Sequence, residues 1–421
     1  MRILLTAGAS YVPPRGGATR SNLAWLDHLA AAGHACRVVC GALAHGGAGR
    51  GEQMSEEEIR DDAARAVDGV EAVRRGPVEI FSAADPVRRM QALRQHILDF
   101  RPDWVLVSSE DLGHALLREA WHSAPGRVVY LAHTPQFYPF GPAAWNPEPS
   151  AAELVARAAA VVAIGHSTAS YIERHTGRAA AIVHPPIYGE GPYRNLACFD
   201  RGLVAMINPC AVKGIGIFLE VARSLPGVEF GALPGWGTTR DDRAALAGLP
   251  NVVPLANCRD IERVLERTRV LLMPSLWFEG FGLIAMEAML RGIPVISSDA
   301  GGLKEAKAGT GYIIPVIPIE RYEPVFDELG MPRPVTAPQE FEPWVSALSA
   351  LLGDRAAYEA ESRASREAAL RFTGALRASQ MEELLAGLAP ARAVAAAAPR
   401  AAIETLSPEK RALLLKRLRQ P

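Results

Sequence analysis

The stretch from Met273 to Ala306, MPSLWFEGFGLIAMEAMLRGIPVISSDAGGLKEA, constrains the fold of this chain more than any other. It opens at the end of an unbroken apolar run, residues 270–273, and such a run predicts a parallel strand buried on both faces. Pro274 and Ser275 end that strand, and Glu279, Gly280 and Gly282 mark a loop. Residues 283–290 form an apolar run of helical length, closed by Arg291-Gly292 as a C-terminal stop. Residues 293–298 are the next strand and Ala300-Gly301-Gly302 the next turn. Strand, Gly-rich loop, helix and strand make a βαβ unit. Its polar residues fall at the carboxyl end of a strand, the edge at which open α/β sheets bind ligands.

The loop has a definite chemistry. Glycines let the backbone approach a ligand, and the free N–H groups of a helix N-terminus bind anions. Glu279 precedes the helix and Glu287 lies inside it. A carboxylate repels phosphate but accepts hydrogen bonds from hydroxyls. Amides flanked by carboxylates suit a diphosphate held between two polyols, and a sugar nucleotide is such a ligand.

The segment from Glu279 through Gly280, Phe281, Gly282 and Leu283 to Glu287 resembles the E-x7-E motif of retaining family 4 glycosyltransferases of GT-B architecture. The following GIPVISSDAGGLKEA resembles the same family, and the likeness is clear over residues 200–315 and weaker before them. The resemblance implies an α/β fold of two Rossmann-like, doubly wound domains facing a cleft. It implies that Glu279 contacts donor-sugar hydroxyls, that Glu287 contacts the ribose, and that the backbone from Gly280 to Leu283 meets the diphosphate.

In the first half, residues 3–5 are a short strand, Gly16-Gly17 sits in a loop over residues 8–19, and residues 23–32 are an amphipathic helix stopped by Gly33. The same order resembles the family's N-terminus, where the Gly pair faces the cleft, so Gly17 is a donor-site candidate; a flexible turn is the other reading. Residues 44–75, rich in Gly, Glu, Asp and Arg, read as an exposed loop plus a solvated helix. Residues 86–100 carry Val87, Met90, Leu93, Ile97 and Phe100 at helical spacing, and residues 104–107 and 127–132 are buried strands. The second of these ends at His133, in the loop HTPQFYPFG. The resemblance puts a cleft histidine near the donor sugar here, which makes His133 a catalytic candidate. Phe137, Tyr138 and Phe140 either line an acceptor site or pack the loop. His166 follows another strand, and residues 185–192 are a Gly/Pro-rich linker.

In the second half, Lys213 precedes a helix, placed to meet a diphosphate as a point charge. The family usually has an arginine five residues earlier, where this chain has Asn208. That departure leaves one fixed cation in place of two. Trp236 either stacks near a base or packs the core, with packing preferred, and the resemblance puts residues 255–257 near the nucleobase. Residues 260–267 read as a charged helix, and residues 341–352 and 358–372 as helices. In GT-B enzymes the final helices cross back to the first domain, a role for residues 366–388. The domain expectation is residues 1–193 on the acceptor side, 194–365 for the sugar nucleotide, those returning helices, and 389–421 as an Ala-rich linker with a short helix.

The short helix begins at Ser407-Pro408 and carries Leu414 and Leu418 on one face. It resembles segments that precede condensation domains in nonribosomal peptide synthetases, which points to a docking partner; a membrane-surface helix or a disordered tail are the alternatives. A net charge of −1 gives no field to attract nucleic acid. No apolar run reaches the ~18 residues of a transmembrane segment. The five cysteines lack a C-x-x-C pair, and Cys36 and Cys40 flank a strand, as reduced core residues of a cytoplasmic protein would. No D-x-D pair ends a strand, so no essential metal and no cofactor beyond the donor is expected. The reading is a retaining hexosyltransferase that moves sugar from a nucleotide sugar to a small-molecule acceptor, in natural-product or lipopeptide biosynthesis. An epimerase or phosphorylase of the same architecture, or a non-catalytic sugar-nucleotide-binding scaffold, are the alternatives.

Overall fold

The computed structural model describes residues 1–14, 16–42, 65–67, 69–256 and 260–389. Two parallel-rich sheets carry the fold. The first contains β1 (Arg2–Thr6), β2 (Ala35–Cys40), β3 (Arg65–Val67), β4 (Val70–Arg75), β5 (Val78–Ser82), β6 (Trp104–Ser108), β7 (Val128–Ala132), β8 (Ala160–Ala163) and β9 (Ala181–Ile182). Their order is β3-β4-β5-β2-β1-β6-β7-β8-β9, parallel except for the antiparallel β3–β4 and β4–β5 pairs at one edge. The second contains β10 (Leu203–Ile207), β11 (Phe230–Leu233), β12 (Val252–Pro254), β13 (Thr268–Met273), β14 (Val295–Ser298) and β15 (Ile313–Ile314), all parallel, in the order β12-β11-β10-β13-β14-β15. An antiparallel hairpin, β16 (Arg321–Phe326) and β17 (Pro332–Val335), follows it.

The apolar runs form strands because helices cover both faces. Ile3, Leu4 and Leu5 of β1 and Val105, Leu106 and Val107 of β6 have no solvent exposure, nor do Val270 and Leu271 of β13. Each sheet reverses its strand order once, between β1 and β6 and between β10 and β13. A crevice opens at such a switch point beyond the strands' carboxyl ends. The two crevices face each other across the cleft.

The helices follow the sequence with some corrections. Helix Pro86–Phe100 has the expected bounds: the Asp85 carboxylate accepts from Arg88 N at 2.8 Å and Pro86 occupies the first turn. Helix Gly17–Ala31 starts six residues earlier than expected, directly on the Gly pair. Residues 65–67 and 70–75 are strands where a solvated helix was expected, because β4 pairs along β5 at the sheet edge; residues 43–64 lie outside the described residues. The charged 260–267 segment is helical only over Glu262–Leu265. Helix Leu283–Leu290 is apolar on every side and correspondingly buried on every side. Gly292 ends it at φ 73°, and a Cβ there would lie 2.4 Å from Asn195 Oδ1.

The end of the described chain packs on the first sheet. Helix Arg355–Gly374 lies along Leu283–Leu290, and helix Gln380–Gly387 buries Met381 and Leu385 in one core with Trp25 and Leu29. The Trp104 indole donates to Leu385 O at 3.0 Å, and the Gln380 amide donates to Ile182 O at 2.8 Å. The expected tail helix at 407–421 and nearly all of its linker lie outside the described residues. Among the described residues no helix is long and apolar enough to cross a membrane.

Candidate functional site

A cavity of about 370 Å³ lies between the two switch points, within the range of small-molecule sites. It is lined from the first domain by Gly16, Gly17, Arg20, Glu110, His133, Thr134 and Phe137. From the second it is lined by Asn208, Lys213, Trp236, Trp277, Glu279, Gly280, Phe281, Gly282 and Leu283. The N-terminus of helix Gly17–Ala31 meets that of helix Leu283–Leu290: a Cβ on Gly17 would lie 3.1 Å from Leu283 Cδ1. Two helix N-termini converging on one space present unpaired N–H groups and two positive dipole ends to an anion.

Each carboxylate of the E-x7-E motif already holds a cation. Lys213 Nζ donates to Glu279 Oε1 at 2.5 Å, and Ser275 Oγ donates to the same oxygen at 2.5 Å. Among the described residues Glu279 Oε2 has no protein partner, so a ligand hydroxyl has an acceptor there. Lys213 also lies 4.3 Å over the Trp277 ring, and its side chain is 17% exposed, so it is not a solvated surface lysine. Gly214 holds the turn behind it at φ 79°, where a Cβ would lie 2.0 Å from Pro274 O. Glu287, buried at the helix's second turn, is gripped by Arg20 through two bonds, Nη2 to Oε1 at 2.5 Å and Nη1 to Oε2 at 3.0 Å.

Asn208 faces the same cavity, and its backbone is left-handed at φ 56°. Its Oδ1 accepts from Gly237 N at 2.9 Å, which fastens the 235–238 loop, and its Nδ2 is buried without a partner. Trp236 on that loop is 39% exposed and stacks tilted on Trp277 at 5.5 Å. The packing reading of Trp236 is therefore corrected: the loop turns its ring out of the core and into the cavity wall. Phe137 also lines the cavity, whereas Tyr138 and Phe140 are buried in the core of the first domain. His166 is exposed, its backbone N–H at the start of helix His166–Thr176. Of residues 255–257, Leu255 is buried and Asn257 lies outside the described residues.

His133 is buried at the end of β7, stacked on Trp25 at 5.8 Å. Its Nε2 pairs with Asn22 Oδ1 at 2.9 Å, while Asn22 Nδ2 donates to Ser108 Oγ at 3.1 Å. That network assigns the ring proton to Nε2 and leaves Nδ1 as an acceptor; Nδ1 is buried without a partner. Burial pushes the imidazole down to about 3, so it stays neutral. Glu110, just beyond β6, is the acidic group of this wall among the described residues. Its Oε2 is buried with no hydrogen-bond partner, and desolvation raises the carboxyl to about 7.

The domains touch across this space. A Cβ on Gly280 would lie 2.0 Å from the His133 carbonyl oxygen. Glu305, of the GGLKE segment, crosses to the first domain: it accepts from His166 N at 2.9 Å and from Ser167 N at 3.2 Å, capping helix His166–Thr176. Arg20, Glu110 and Glu305 are not singled out by the sequence. For Glu110 the signal was available, since Ser109-Glu110-Asp111 follows an apolar strand as His133 does. For Arg20 and Glu305 there was none, because their partners are distant in the chain. Among the described residues no cluster of His, Cys, Asp or Glu is placed to hold a metal ion.

Residues 15–187 match the family described as Glycosyltransferase Family 4, and residues 202–320 match Glycosyl transferases group 1. No curated protein matches the sequence. Among solved structures, sucrose-phosphate synthase from Thermosynechococcus elongatus is similar at 16% identity, covering 91% of this chain and 98% of its own, with a TM-score of 0.64. Anabaena HepE in complex with UDP-glucose is similar at 15% identity, with coverages of 92% and 98% and a TM-score of 0.61. The trehalose-6-phosphate synthase OtsA is similar at 12%, with coverages of 93% and 100% and a TM-score of 0.61.

Proposed function

We propose that this chain, which belongs to the family 4 glycosyltransferases of GT-B architecture, moves a hexose from a nucleoside diphosphate sugar to a small hydroxylated acceptor with retention of configuration. The observation that carries the reading is the convergence of two helix N-termini with the Lys213–Glu279 pair in one cavity. The bond from the anomeric carbon to the diphosphate breaks as the bond to the acceptor oxygen forms, and the acceptor proton leaves with the nucleoside diphosphate. The transition state has oxocarbenium character, and negative charge builds on the diphosphate. Lys213 and the amides from Phe281 onward stabilise that charge. Glu279 Oε2 and His133 Nδ1, both free acceptors, orient the sugar hydroxyls, and Glu287 accepts from the ribose. The UDP-glucose bound by HepE supports a donor of this class. A natural-product or lipopeptide acceptor, brought by a partner docked on residues 407–421, is the biological setting we favour.

A thermal-shift screen of UDP-, GDP-, ADP- and dTDP-sugars identifies the donor, since a ligand of the folded state raises apparent stability. With that donor, Glu279→Gln is expected to lower turnover about 10²-fold or more while nucleoside diphosphate still binds. Unchanged turnover removes Glu279 from the site, and interconversion of donor sugars without transfer makes the chain an epimerase.

A further inference from the structure

Resting on the donor site just proposed, we infer that Arg20 is the second cation for the donor diphosphate, supplied by the opposite domain. Among the described residues, Lys213 and Arg20 are the lysine and arginine side chains that line the cavity. Asn208 carries no charge, and its oxygen is committed to the 235–238 loop. A nucleoside diphosphate brings at least two negative charges, and Lys213 is a single point charge with three donors, one of them held by Glu279.

Arg20 sits one helical turn behind the Gly16-Gly17 end of its helix, and Glu287 one turn behind Leu283 in the helix opposite. Their pair therefore lies about 5 Å behind the two converging N-termini, one turn of helix and within reach of an arginine side chain. Arg20 is the exposed member, with its side chain 33% exposed against 6% for Glu287. A guanidinium has five N–H donors, and Glu287 occupies one on each terminal nitrogen. The remaining donors are able to take a phosphate oxygen without releasing Glu287. Arg20 thus keeps Glu287 oriented while adding charge where the helix dipoles already favour an anion. Because Lys213 and Arg20 come from different domains, the anion completes a contact between them, which ties donor binding to closure of the cleft.

The test is calorimetry on the full chain with UDP, GDP, ADP and dTDP, each against its nucleoside, for wild type, Arg20→Met, Arg20→Lys and Lys213→Ala. Arg20→Met is expected to weaken the diphosphate tenfold or more, with a shallower salt dependence, and to weaken the nucleoside, through loss of the grip on Glu287, by a clearly smaller factor. Arg20→Lys, which keeps the charge and the fold, is expected to lie between wild type and Arg20→Met. Equal losses for diphosphate and nucleoside would show that Arg20 serves only to position Glu287 at the ribose, and would overturn the inference. So would unchanged diphosphate affinity in Arg20→Met when Lys213→Ala is impaired. If wild type binds none of the four diphosphates, the donor-site reading falls and this inference with it.

Discussion

Replacing Gly280 by alanine adds one methyl group at the point where the domains meet. Gly280 is not among the glycines with a left-handed backbone, so alanine fits its conformation without strain. The added carbon would lie 2.0 Å from the His133 carbonyl oxygen and 2.9 Å from Ile164 Cδ1. Ordinary contact lies near 3.5 Å, so the oxygen has to retreat by about 1.5 Å. That oxygen is backbone of the buried residue directly after β7, and a rotamer change cannot relieve the clash. Opening the cleft is the least costly response. It pulls His133 and Arg20 away from Glu287 and the rest of the donor side, and a displacement of ~1 Å at reacting groups costs on the order of 10²-fold in rate. Each domain keeps a core away from the contact, around Val107 and Tyr130 in the first and around Phe218 and Trp344 in the second. The expected result is donor turnover lowered about a hundredfold, melting temperature within a few degrees of wild type, and a larger radius of gyration by X-ray scattering. Full turnover would show that chemistry does not need this contact. A collapse of melting temperature would show that Gly280 serves folding, and the closure reasoning would be wrong.

Glu305→Ala removes the acceptor for two N–H groups of helix His166–Thr176. A lost cap costs about 1 kcal/mol, here charged to the closed state, so donor turnover should fall about fivefold with no change in product; an unaffected rate would mean that the contact does not bear on closure. Glu110→Gln tests the buried carboxyl through pH. The folded group holds its proton up to about 7, the unfolded one only to about 4.3, so the folded state binds more protons between those values and stability falls as pH rises through the window. His133, held down to about 3, acts in the opposite direction below about 6.5, but it is common to both proteins and cancels in the difference. Denaturant unfolding of both at pH 5 and pH 8 should show the variant gaining relative to wild type by about 2.5 kcal/mol at the higher pH; a pH-independent difference would mean that Glu110 is not buried as a titrating group.

The order of elements was legible because each was set by short-range chemistry. Asp85-Pro86 fixed a helix start by its own cap, and the glycine at 292 stopped a helix by its left-handed backbone. The run at 283–290 is apolar all round except for Glu287, which marks an interior helix, and the carboxylates in the loop before it and in its second turn marked a ligand edge. The family likeness around Glu279 pointed to two facing domains for the same local reason: its residues lie within one loop and one helix. The sequence was misleading at 65–75, where strand formation depended on pairing along β5.

What sequence alone did not determine is every charge pairing between residues distant in the chain. Arg20 meets Glu287 across 267 positions, and Glu305 meets the backbone of His166 across 139. Neither pairing leaves a periodicity or a spacing. The sequence showed Asn208 where a cation was expected in the second domain, but it did not show that, among the described residues, Arg20 of the opposite domain lines the same cavity as Lys213. The protonation of Glu110 and His133 was decided the same way. A strand end says that a polar group faces the crevice, but only the packed structure says how much water remains beside it, and that water sets whether the group carries charge.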